Sequence, residues 1–453
     1  MVHWPFLAFD RWVTGNPRRL ARAGGYAPWW LVRRIAEAKL VRTLRHVWDH
    51  CRRQRERWRD AGVRRGDLRS ASVLPHLPFS DPRDIALHPE AYFCVPEDQL
   101  VGMILTSGTT GTGKRIYFTR DDLDLQARMI AAYLRRLPGA SRVLIVFNLA
   151  TQPSASPALF AHRGAETAGM FSILVPSCTL FPAALQHLRD YRLDTVIAAP
   201  TRMHQLTLEA GVDLRSFGVK YFLLSSEPWS EKLRRLIEDA WGAKALDVYA
   251  SNETACGIAS ECVHQNGLHV GEIHHWIEIV DPATGTPLPD GSEGEIVITT
   301  LSRRGMPLVR YRIGDLARLE PPGERCACGM TLRKLSRIRG RVDNMIILGG
   351  GCNVYPDEFD NAILGIDGVT DYQIVLERDR YREVLHLDVE CDLPDETLRS
   401  TVTRALLTVH GVQRKVEATR DLDFGRIRAV PHGSLSAGRN KTQRVVDRRD
   451  AGG

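Results

Sequence analysis

The sequence has few cysteines and no long hydrophobic segment. Nine cysteines among 453 residues are too few for a disulfide framework, which excludes the class of small disulfide-stapled secreted proteins. No run of about 18 apolar residues occurs, so we expect no membrane-spanning helix and no membrane partner. The start, MVHWPFLAFDRW, lacks the basic, apolar and small-residue pattern of a secretory signal. We therefore predict a reducing, cytoplasmic location.

Acidic residues are scarce near the start of the chain. Residues 1–70 carry 17 Lys and Arg but only 6 Asp and Glu, whereas the net charge of the whole chain is +7. A basic segment of this kind can bind nucleic acid. Apolar residues recur at helical spacing over 31–51, however, and this pattern favours an amphipathic helix whose arginines face solvent. We predict that helix, and no nucleic-acid partner.

Alternating strand and helix patterns begin near residue 100. Short β-rich runs predict strands at 102–106, 143–148, 172–175, 195–198, 221–224 and 246–249. Helical patterns lie between them, such as 119–136 and 229–241, and Thr119 with Asp122 forms a capping-box pattern at the first. This alternation predicts an α/β fold with mostly parallel sheets.

The pattern changes after residue 270. A turn-rich stretch, DPATGTPLPDGSEG, separates predicted strands at 276–280 and 295–300 and indicates a β region. Later patterns predict a small α+β domain with a helix at 395–409 and strands at 372–376, 384–389 and 416–419. We predict a large N-terminal domain, residues 1–342, and a small mobile C-terminal domain, residues 343–453. The polar tail 438–453 is expected to be mobile.

A loop rich in glycine and hydroxyl residues, TSGTTGTGK, follows the first predicted strand. Glycine lets backbone N–H groups turn towards an anion, and hydroxyl groups add donors, so the loop predicts a phosphate cradle. On chemistry alone, the cradle would span the whole loop from Thr106 to Lys114.

The same letters nearly match the Walker A loop of P-loop nucleotidases. Arg115 stands where that loop needs Ser or Thr for Mg²⁺, and residues 116–119 continue as a predicted strand where it needs a helix. Both features argue against a P-loop protein, which stays as an alternative beside a purely structural glycine-rich turn.

The loop together with later motifs resembles the adenylate-forming enzymes, and within them the phenylacetate–CoA ligase family. The motifs occur in the family's order over nearly the whole chain: SSEPW at 225–229, YASNE at 249–253, YRIGD at 311–315, GRVD at 340–343 and KTQR at 441–444. The resemblance implies an N-terminal AMP-binding domain and a C-terminal lid.

The resemblance implies that ATP is a substrate and assigns its contacts. The phosphates would be bound by the loop residues Thr106, Ser107, Gly108, Thr109, Thr110 and Gly111. The other ATP-binding residues would be Ser226, Glu227, Tyr249, Asn252 and Asp315. Asp315 would accept both ribose hydroxyls. Glu253 would act in catalysis by binding Mg²⁺, which prefers oxygen ligands.

The resemblance also implies a hinge and a catalytic lysine. Arg341 would contact ribose or phosphate, and Asp343 would lie at the hinge about which the lid rotates. Lys441 would bridge the substrate carboxylate and the α-phosphate, where a cation about 4 Å from developing charge contributes roughly 4 kcal/mol at an effective dielectric near 20. Asn440 stands where the family has glycine before this lysine.

The implied reaction is the ATP-dependent activation of a small-molecule carboxylic acid to an acyl-adenylate, followed by transfer to CoA. Asn252 and Ala250 depart from the family's Thr and Gly, and the segment 346–356 has an extra residue and lacks an Arg. Since this segment would line the thiol-transfer conformation, a carrier protein, an amine or another nucleophile is the alternative acceptor. A relative that binds without catalysis is a third alternative.

The acyl pocket is expected between residues 147–157 and 225–257. It would contain Asn148, Gln152, Ser226 and Cys256 among apolar residues. This lining favours an aryl or arylacetic acid.

Cysteine and histidine residues form two spaced pairs. Cys326 and Cys328 are one residue apart on a predicted knuckle, and Cys262 and His269 lie upstream. Three Cys and one His make a closed structural Zn²⁺ set, and the family pattern resembles both pairs. Possible substitute ligands are Cys256, His264, His274 and His275, although the last two form a plain strand edge in the simpler interpretation.

Overall fold

The fold is given by a computed structural model. It describes residues 4–23, 25–106, 114–147, 156–176, 181–227, 229–254, 256–323, 325–342, 346–348, 352–354, 356–379, 382–419, 422–435 and 444–449. The helices are α1 Trp4–Thr14, α2 Pro17–Ala23, α3 Trp29–His50, α4 Arg52–Asp60, α5 Pro82–Leu87, α6 Arg120–Leu134, α7 Pro157–Thr167, α8 Phe181–Asp190, α9 Pro200–Glu209, α10 Glu231–Trp241, α11 Pro356–Ile363, α12 Asp395–Leu406 and α13 His410–Gln413.

The strands alternate with these helices in the first half of the chain. They are β1 Leu100–Leu105, β2 Arg115–Thr119, β3 Arg142–Phe147, β4 Phe171–Pro176, β5 Thr195–Ala198, β6 Tyr221–Leu224, β7 Lys244–Ser251, β8 Cys256–Ser260, β9 Leu268–Val270, β10 His275–Val280, β11 Glu293–Thr300, β12 Tyr311–Arg318, β13 Lys334–Leu335, β14 Gly340–Arg341, β15 Ile346–Leu348, β16 Cys352–Val354, β17 Asp371–Asp379, β18 Arg382–Glu390, β19 Leu422–Val430 and β20 Val445–Asp447.

The chain divides into two compact units. The first unit comprises residues 1–198, 216–226 and 244–338, and the second comprises 199–215, 227–243 and 339–453. The second unit thus includes α9 and α10 in addition to the C-terminal part of the chain. The domain boundary at 342/343 and the mobility of the lid stay predictions.

The first unit is built on an eight-stranded sheet with the order β13-β9-β8-β7-β6-β5-β3-β4. Strands β7, β6, β5, β3 and β4 are parallel neighbours. Strands β5 and β6 are buried along their whole length, as expected for parallel strands covered on both faces. The predicted α/β fold with parallel-rich sheets is confirmed.

The β region after residue 270 also forms as predicted. Strand β10 pairs antiparallel with β11, from His275 opposite Thr300 to Val280 opposite Glu295. Strand β11 pairs antiparallel with β12, with a register irregularity between Glu295 and Val297. The YRIGD segment, residues 311–315, forms the first part of β12 in this sheet.

The basic N-terminal segment contains the predicted amphipathic helix. Helix α3 buries Ile35, Val41 and Leu44, while arginines such as Arg34 lie on the exposed face. The buried stripe also contains Lys39, whose Nζ lies 3.0 Å from Asp10 Oδ1. In the described part of the chain, no helix combines the length and the apolar character needed to cross a membrane.

The second unit contains a four-stranded sheet with the order β19-β18-β17-β20 and a hairpin of β15 and β16. One expectation is wrong here. Residues Arg414–Thr419 form a π-helical segment rather than a strand, and the strand follows at β19. In the tail, β20 pairs parallel with β17, and the mobility of the tail stays a prediction.

Candidate active site

Two motifs about sixty residues apart meet between β7 and β12. The hydroxyl of Tyr249, in the YASNE motif, donates to Asp315 Oδ2 at 2.7 Å. Asp315 follows Gly314, whose φ of +83° suits glycine. The tyrosine thereby holds the carboxylate that would accept the ribose hydroxyls.

Glu253 lies in the turn after β7, and its carboxylate has three neighbours. Lys114 Nζ is 2.9 Å from Oε1, Tyr311 donates to Oε1 at 3.2 Å, and Ser251 Oγ donates to Oε2 at 2.6 Å. Burial raises the pKa of Glu253, but Lys114 and the Ser251 hydrogen bond outweigh it and leave the pKa below its ordinary value. The side chain is therefore an anionic oxygen ligand at neutral pH, which suits a hard cation.

The glycine-rich loop is closed at its base by a pair of hydrogen bonds. Thr106 N donates to the carbonyl of Lys114 at 2.9 Å, and Lys114 N donates to Thr106 Oγ1 at 3.1 Å. The remaining cradle residues, Ser107, Gly108, Thr109, Thr110 and Gly111, lie outside the described residues. The loop leads into strand β2 and not into a helix, which removes a required feature of a Walker A loop.

The other predicted nucleotide contacts lie after the parallel strands β6 and β7. Ser226 follows β6 with a φ of +86°, a conformation uncommon for a residue with a Cβ. Asn252 follows β7 in the same turn as Glu253. In α/β sheets, ligands bind outside the carboxyl ends of the strands, which is where Ser226 and Asn252 lie.

Some predicted residues lie in the second unit or outside the described residues. Glu227 accepts a hydrogen bond from Thr201 N at 2.6 Å, close to the start of α9. Arg341 lies in β14 and is half-buried. Asp343 and Lys441 lie outside the described residues, as do Asn148 and Gln152 of the expected acyl pocket. The roles of these residues stay predictions.

The four predicted metal ligands come together in the first unit. The ligand atoms of Cys262, His269, Cys326 and Cys328 all lie within 4.8 Å of one another. Strand β9 presents His269 opposite Lys334 of β13, and the knuckle is closed by Gly329 N, which donates to Cys326 O at 2.7 Å. Among the substitutes, His264 is exposed, and neither His274 nor His275 belongs to the cluster.

The spacing of these atoms fits a tetrahedral ion. Zn–S bonds of about 2.3 Å and Zn–N bonds of about 2.05 Å imply ligand separations of about 3.8 Å for S···S and about 3.6 Å for S···N. Cys262 Sγ and Cys326 Sγ are 3.8 Å apart, and Cys328 Sγ and His269 Nε2 are 3.5 Å apart. The donor set and its geometry therefore suit Zn²⁺.

The sequence reasoning missed three side chains around Glu253. Lys114 was considered only as a Walker A lysine, and Tyr311 had no role although it begins the YRIGD motif. Arg303 was not singled out, yet its Nη1 donates to the carbonyl oxygen of Glu253 at 2.6 Å. Only the position of Lys114 at the end of the glycine-rich loop was a signal that pointed to this site.

Comparisons with known proteins show the family of this chain. The AMP-binding enzyme family matches residues 36–302, and the AMP-binding enzyme C-terminal domain matches residues 351–449. The phenylacetate-coenzyme A ligase of Thermus thermophilus is 31% identical over 92% of this chain and 97% of that protein. That of Escherichia coli is 30% identical over 91% of this chain and 94% of that protein.

A solved structure has the same fold. The 2-hydroxyisobutyryl-CoA ligase in its postadenylation state, in complex with 2-HIB-AMP, superposes with a TM-score of 0.80 at 22% identity. The match covers 94% of this chain and 92% of that chain. With the motifs, the fold and the relatives in agreement, the chain belongs to the AMP-binding enzyme family and is an AMP-forming ligase.

Proposed function

We propose that this ligase activates an aryl or arylacetic acid with ATP and then forms its CoA thioester. The observation that carries the proposal is that separate motifs form one set of contacts. Asp315 is held by Tyr249, and Glu253 is held by Tyr311. Tyr311 and Asp315 both lie on β12. The phenylacetate-CoA ligases that are about 30% identical to this chain support the choice of acid class and of CoA.

In the first step, a carboxylate oxygen of the acid attacks the α-phosphorus of ATP and pyrophosphate leaves. Asp315 would hold the ribose and the glycine-rich loop the phosphates. Glu253 would hold Mg²⁺, which offsets phosphate charge when bound. Lys441 and Arg341 would supply the cations near the reacting phosphate, and lid rotation at Asp343 would exchange the two steps.

In the second step, the CoA thiolate attacks the acyl carbon and AMP leaves. The segment that departs from the family forms the hairpin of β15 and β16, with Ile346 opposite Val354. Because this segment is altered, the acceptor of the acyl group is tested directly. A carrier protein or an amine is the alternative to CoA.

The test is pyrophosphate release from ATP with a panel of aryl, arylacetic and short acyl acids, with and without CoA. Products are identified by mass spectrometry. Acid-dependent release with a CoA thioester is the expected result. An adenylate that accumulates without thioester would contradict CoA as the acceptor, and no release with any acid would contradict the proposed activity.

Substitutions at the site should separate the assigned roles. Asp315→Asn should raise the KM for ATP. A carboxylate has two acceptor oxygens for the two ribose hydroxyls, whereas a neutral amide has one. Lys441→Ala should lower adenylation about a thousandfold, the equivalent of roughly 4 kcal/mol. Glu320→Gln is the matched control for Asp315→Asn, since Glu320 is an exposed acid just beyond β12. A Lys441→Ala protein with unchanged adenylation would overturn that residue's role.

We also propose that Cys262, His269, Cys326 and Cys328 bind a structural Zn²⁺. A closed set of this kind stabilises a fold and takes no part in the reaction. Protein purified without chelator should contain one zinc per chain, and Cys326→Ser should lose it while Cys391→Ser, in the second unit, should retain it. Zinc-free wild-type protein would contradict the site. We also propose a reducing, cytoplasmic location, because the sequence has few cysteines.

A further inference from the structure

A small, partly enclosed cavity in the first unit lies beside the turn after β7 that contains Glu253 and Thr254, called the Glu253 turn below. The volume that the centre of a water molecule can occupy is about 10 Å³, which is room for a single water. Its lining comes from α6, from the turn after β7, from the start of β10 and from the segment after β11. The lining residues are Asp122, Leu125, Gln126, Met129, Thr254, His274, His275, Thr300, Ser302 and Arg303.

Four polar atoms in this lining have no hydrogen-bond partner. They are Gln126 Oε1, His274 Nε2, His275 Nδ1 and Arg303 Nη2. Each of the four side chains belongs to a residue that is more than nine-tenths buried. A buried polar atom without a partner costs free energy, and such atoms are rare in native proteins unless water or an ion satisfies them.

The remaining polar groups of the lining are satisfied. Asp122 accepts from the backbone N–H groups of Arg304 at 2.7 Å and of Gly305 at 3.0 Å. Thr300 Oγ1 pairs with the backbone of Leu308, and Ser302 Oγ pairs with His274 Nδ1 at 3.2 Å. The four unpartnered atoms therefore belong to side chains that line the same cavity, where a single bound partner would satisfy them.

Donors and acceptors identify that partner as water. Arg303 Nη2 can only donate and Gln126 Oε1 can only accept. An anion would leave Gln126 Oε1 unsatisfied, and a cation would be repelled by Arg303. Burial lowers the pKa of His275 to about 3 and that of His274 well below its ordinary value, so both rings are neutral. One ring can donate and the other accept, which completes the four bonds of a single water.

Two of these side chains also hold the Glu253 turn. Arg303 Nη1 donates to Glu253 O at 2.6 Å, and Gln126 Nε2 donates to Thr254 O at 3.5 Å. The Arg303 guanidinium stacks on Phe118, with its carbon 4.9 Å from the ring centroid. The cavity thus links the backbone of the turn to α6 and β10 through Arg303 and Gln126.

We propose that the cavity holds one ordered water bound by Arg303, Gln126, His274 and His275, and that Arg303 and Gln126 are positioning residues for Glu253. The second half of the proposal rests on the proposed role of Glu253 as a Mg²⁺ ligand. Arg303 and Gln126 bind the backbone of the Glu253 turn, and this backbone sets the direction of the Glu253 carboxylate. Loss of either residue should therefore weaken metal binding more than nucleotide binding.

The first test is a crystal structure of the full chain at a resolution that shows ordered waters, with a second crystal soaked in bromide. A single peak within hydrogen-bond distance of all four atoms, without anomalous signal, is expected. An empty cavity, or a bromide peak within it, would overturn the water. This test does not depend on the proposed activity.

The second test measures Mg²⁺ dependence of pyrophosphate release and binding of Mn²⁺ with ATP by electron paramagnetic resonance. Loss of a charged hydrogen bond in Arg303→Met should raise the half-saturating metal concentration on the order of tenfold, with a smaller change in the KM for ATP. Arg303→Lys should restore most of the loss. Arg304→Met is the matched control, because its guanidinium pairs with Asp121 at the surface.

Gln126→Leu keeps the test decisive if Arg303→Met does not fold, and should raise the half-saturating metal concentration a few-fold. Folded variants with wild-type metal dependence would overturn the positioning role. Wild-type protein without acid-dependent pyrophosphate release would instead overturn the proposed function, which the control and the crystal structure distinguish from failure of this inference.

Discussion

Arg303 in the first unit and Arg444 in the second unit show two ways to place a guanidinium inside a protein. Arg444 Nη1 contacts both oxygens of Asp360 at 2.8 and 2.9 Å, and its Nε donates to Asp371 at 3.2 Å. Tyr372 donates to Asp360 at 2.6 Å. Arg303 has carbonyl and aromatic contacts, and none of the carboxylates in the described ranges forms an ion pair with it.

The two environments shift the guanidinium pKa in opposite directions. Burial lowers the pKa of Arg303 to about 10. Burial also lowers the pKa of Arg444, but Asp360 and Asp371 outweigh it and leave the pKa above its ordinary value. The guanidinium of Arg444 joins α11, through Asp360, to β17, through Asp371. Arg303 is compensated only in part, because Asp122 and Glu253 raise its pKa without forming an ion pair with it. A guanidinium that is bonded to the Glu253 carbonyl and lacks a paired carboxylate fits the positioning role proposed for it.

The largest effect should come from Arg444→Leu, which leaves Asp360 and Asp371 buried without their cation. We expect a loss of about 3–5 kcal/mol in the stability of the second unit, measured by hydrogen exchange of the β17 amides. Arg426→Leu should have little effect, because the Arg426 side chain is 54% exposed and Asp388 stays paired with Arg428. Equal losses in the two variants would remove the distinction between buried and exposed pairs.

Arg303→Met should cost less, about 1.5–3 kcal/mol, because one charged hydrogen bond is lost and no carboxylate of the described residues loses an ion pair. Hydrogen exchange of the β12 amides measures the loss in the first unit. A loss as large as that of Arg444→Leu would contradict the contrast between the two arginines.

Buried histidines near both arginines should make stability fall in acid. Burial lowers the pKa of His204 to about 4 and that of His275 to about 3. Between pH 6.5 and 4 the unfolded chain binds protons that the folded chain does not. Stability should therefore fall with decreasing pH, by up to about 1.4 kcal/mol per pH unit for each histidine.

Denaturant unfolding across this pH range measures the slope. His204→Asn should make it shallower, whereas substitution of the exposed His88 by Gln should leave it as in the wild type. An unchanged slope in His204→Asn would show that this ring is not kept neutral by the fold.

Arg304→Met should have the smallest effect. Its side chain is 64% exposed and pairs with Asp121 at 3.4 Å, so the free energy of unfolding should change by less than about 0.5 kcal/mol. Measured beside Arg303→Met, it tests whether burial, rather than charge or position in the chain, sets the size of the loss.

Patterns local in the chain predicted the fold well. The alternation of short β-rich runs with helical patterns indicated a mostly parallel sheet, and the Thr119–Asp122 capping box forms at the start of α6. The expectation failed at 416–419, because a short apolar pattern does not distinguish a strand from a single helical turn. Cysteine spacing, with the resemblance, selected the four ligands that the fold brings together.

The sequence by itself determined the fold class, the family and the residue types of the candidate site, because these follow from periodicity and from motifs that are continuous in the chain. The tertiary structure alone decided which groups touch Glu253. Lys114, Tyr311 and Arg303 reach it from three separate segments, and no local pattern encodes such a meeting. The same holds for the cavity, since an unsatisfied polar atom is defined by its neighbours in space.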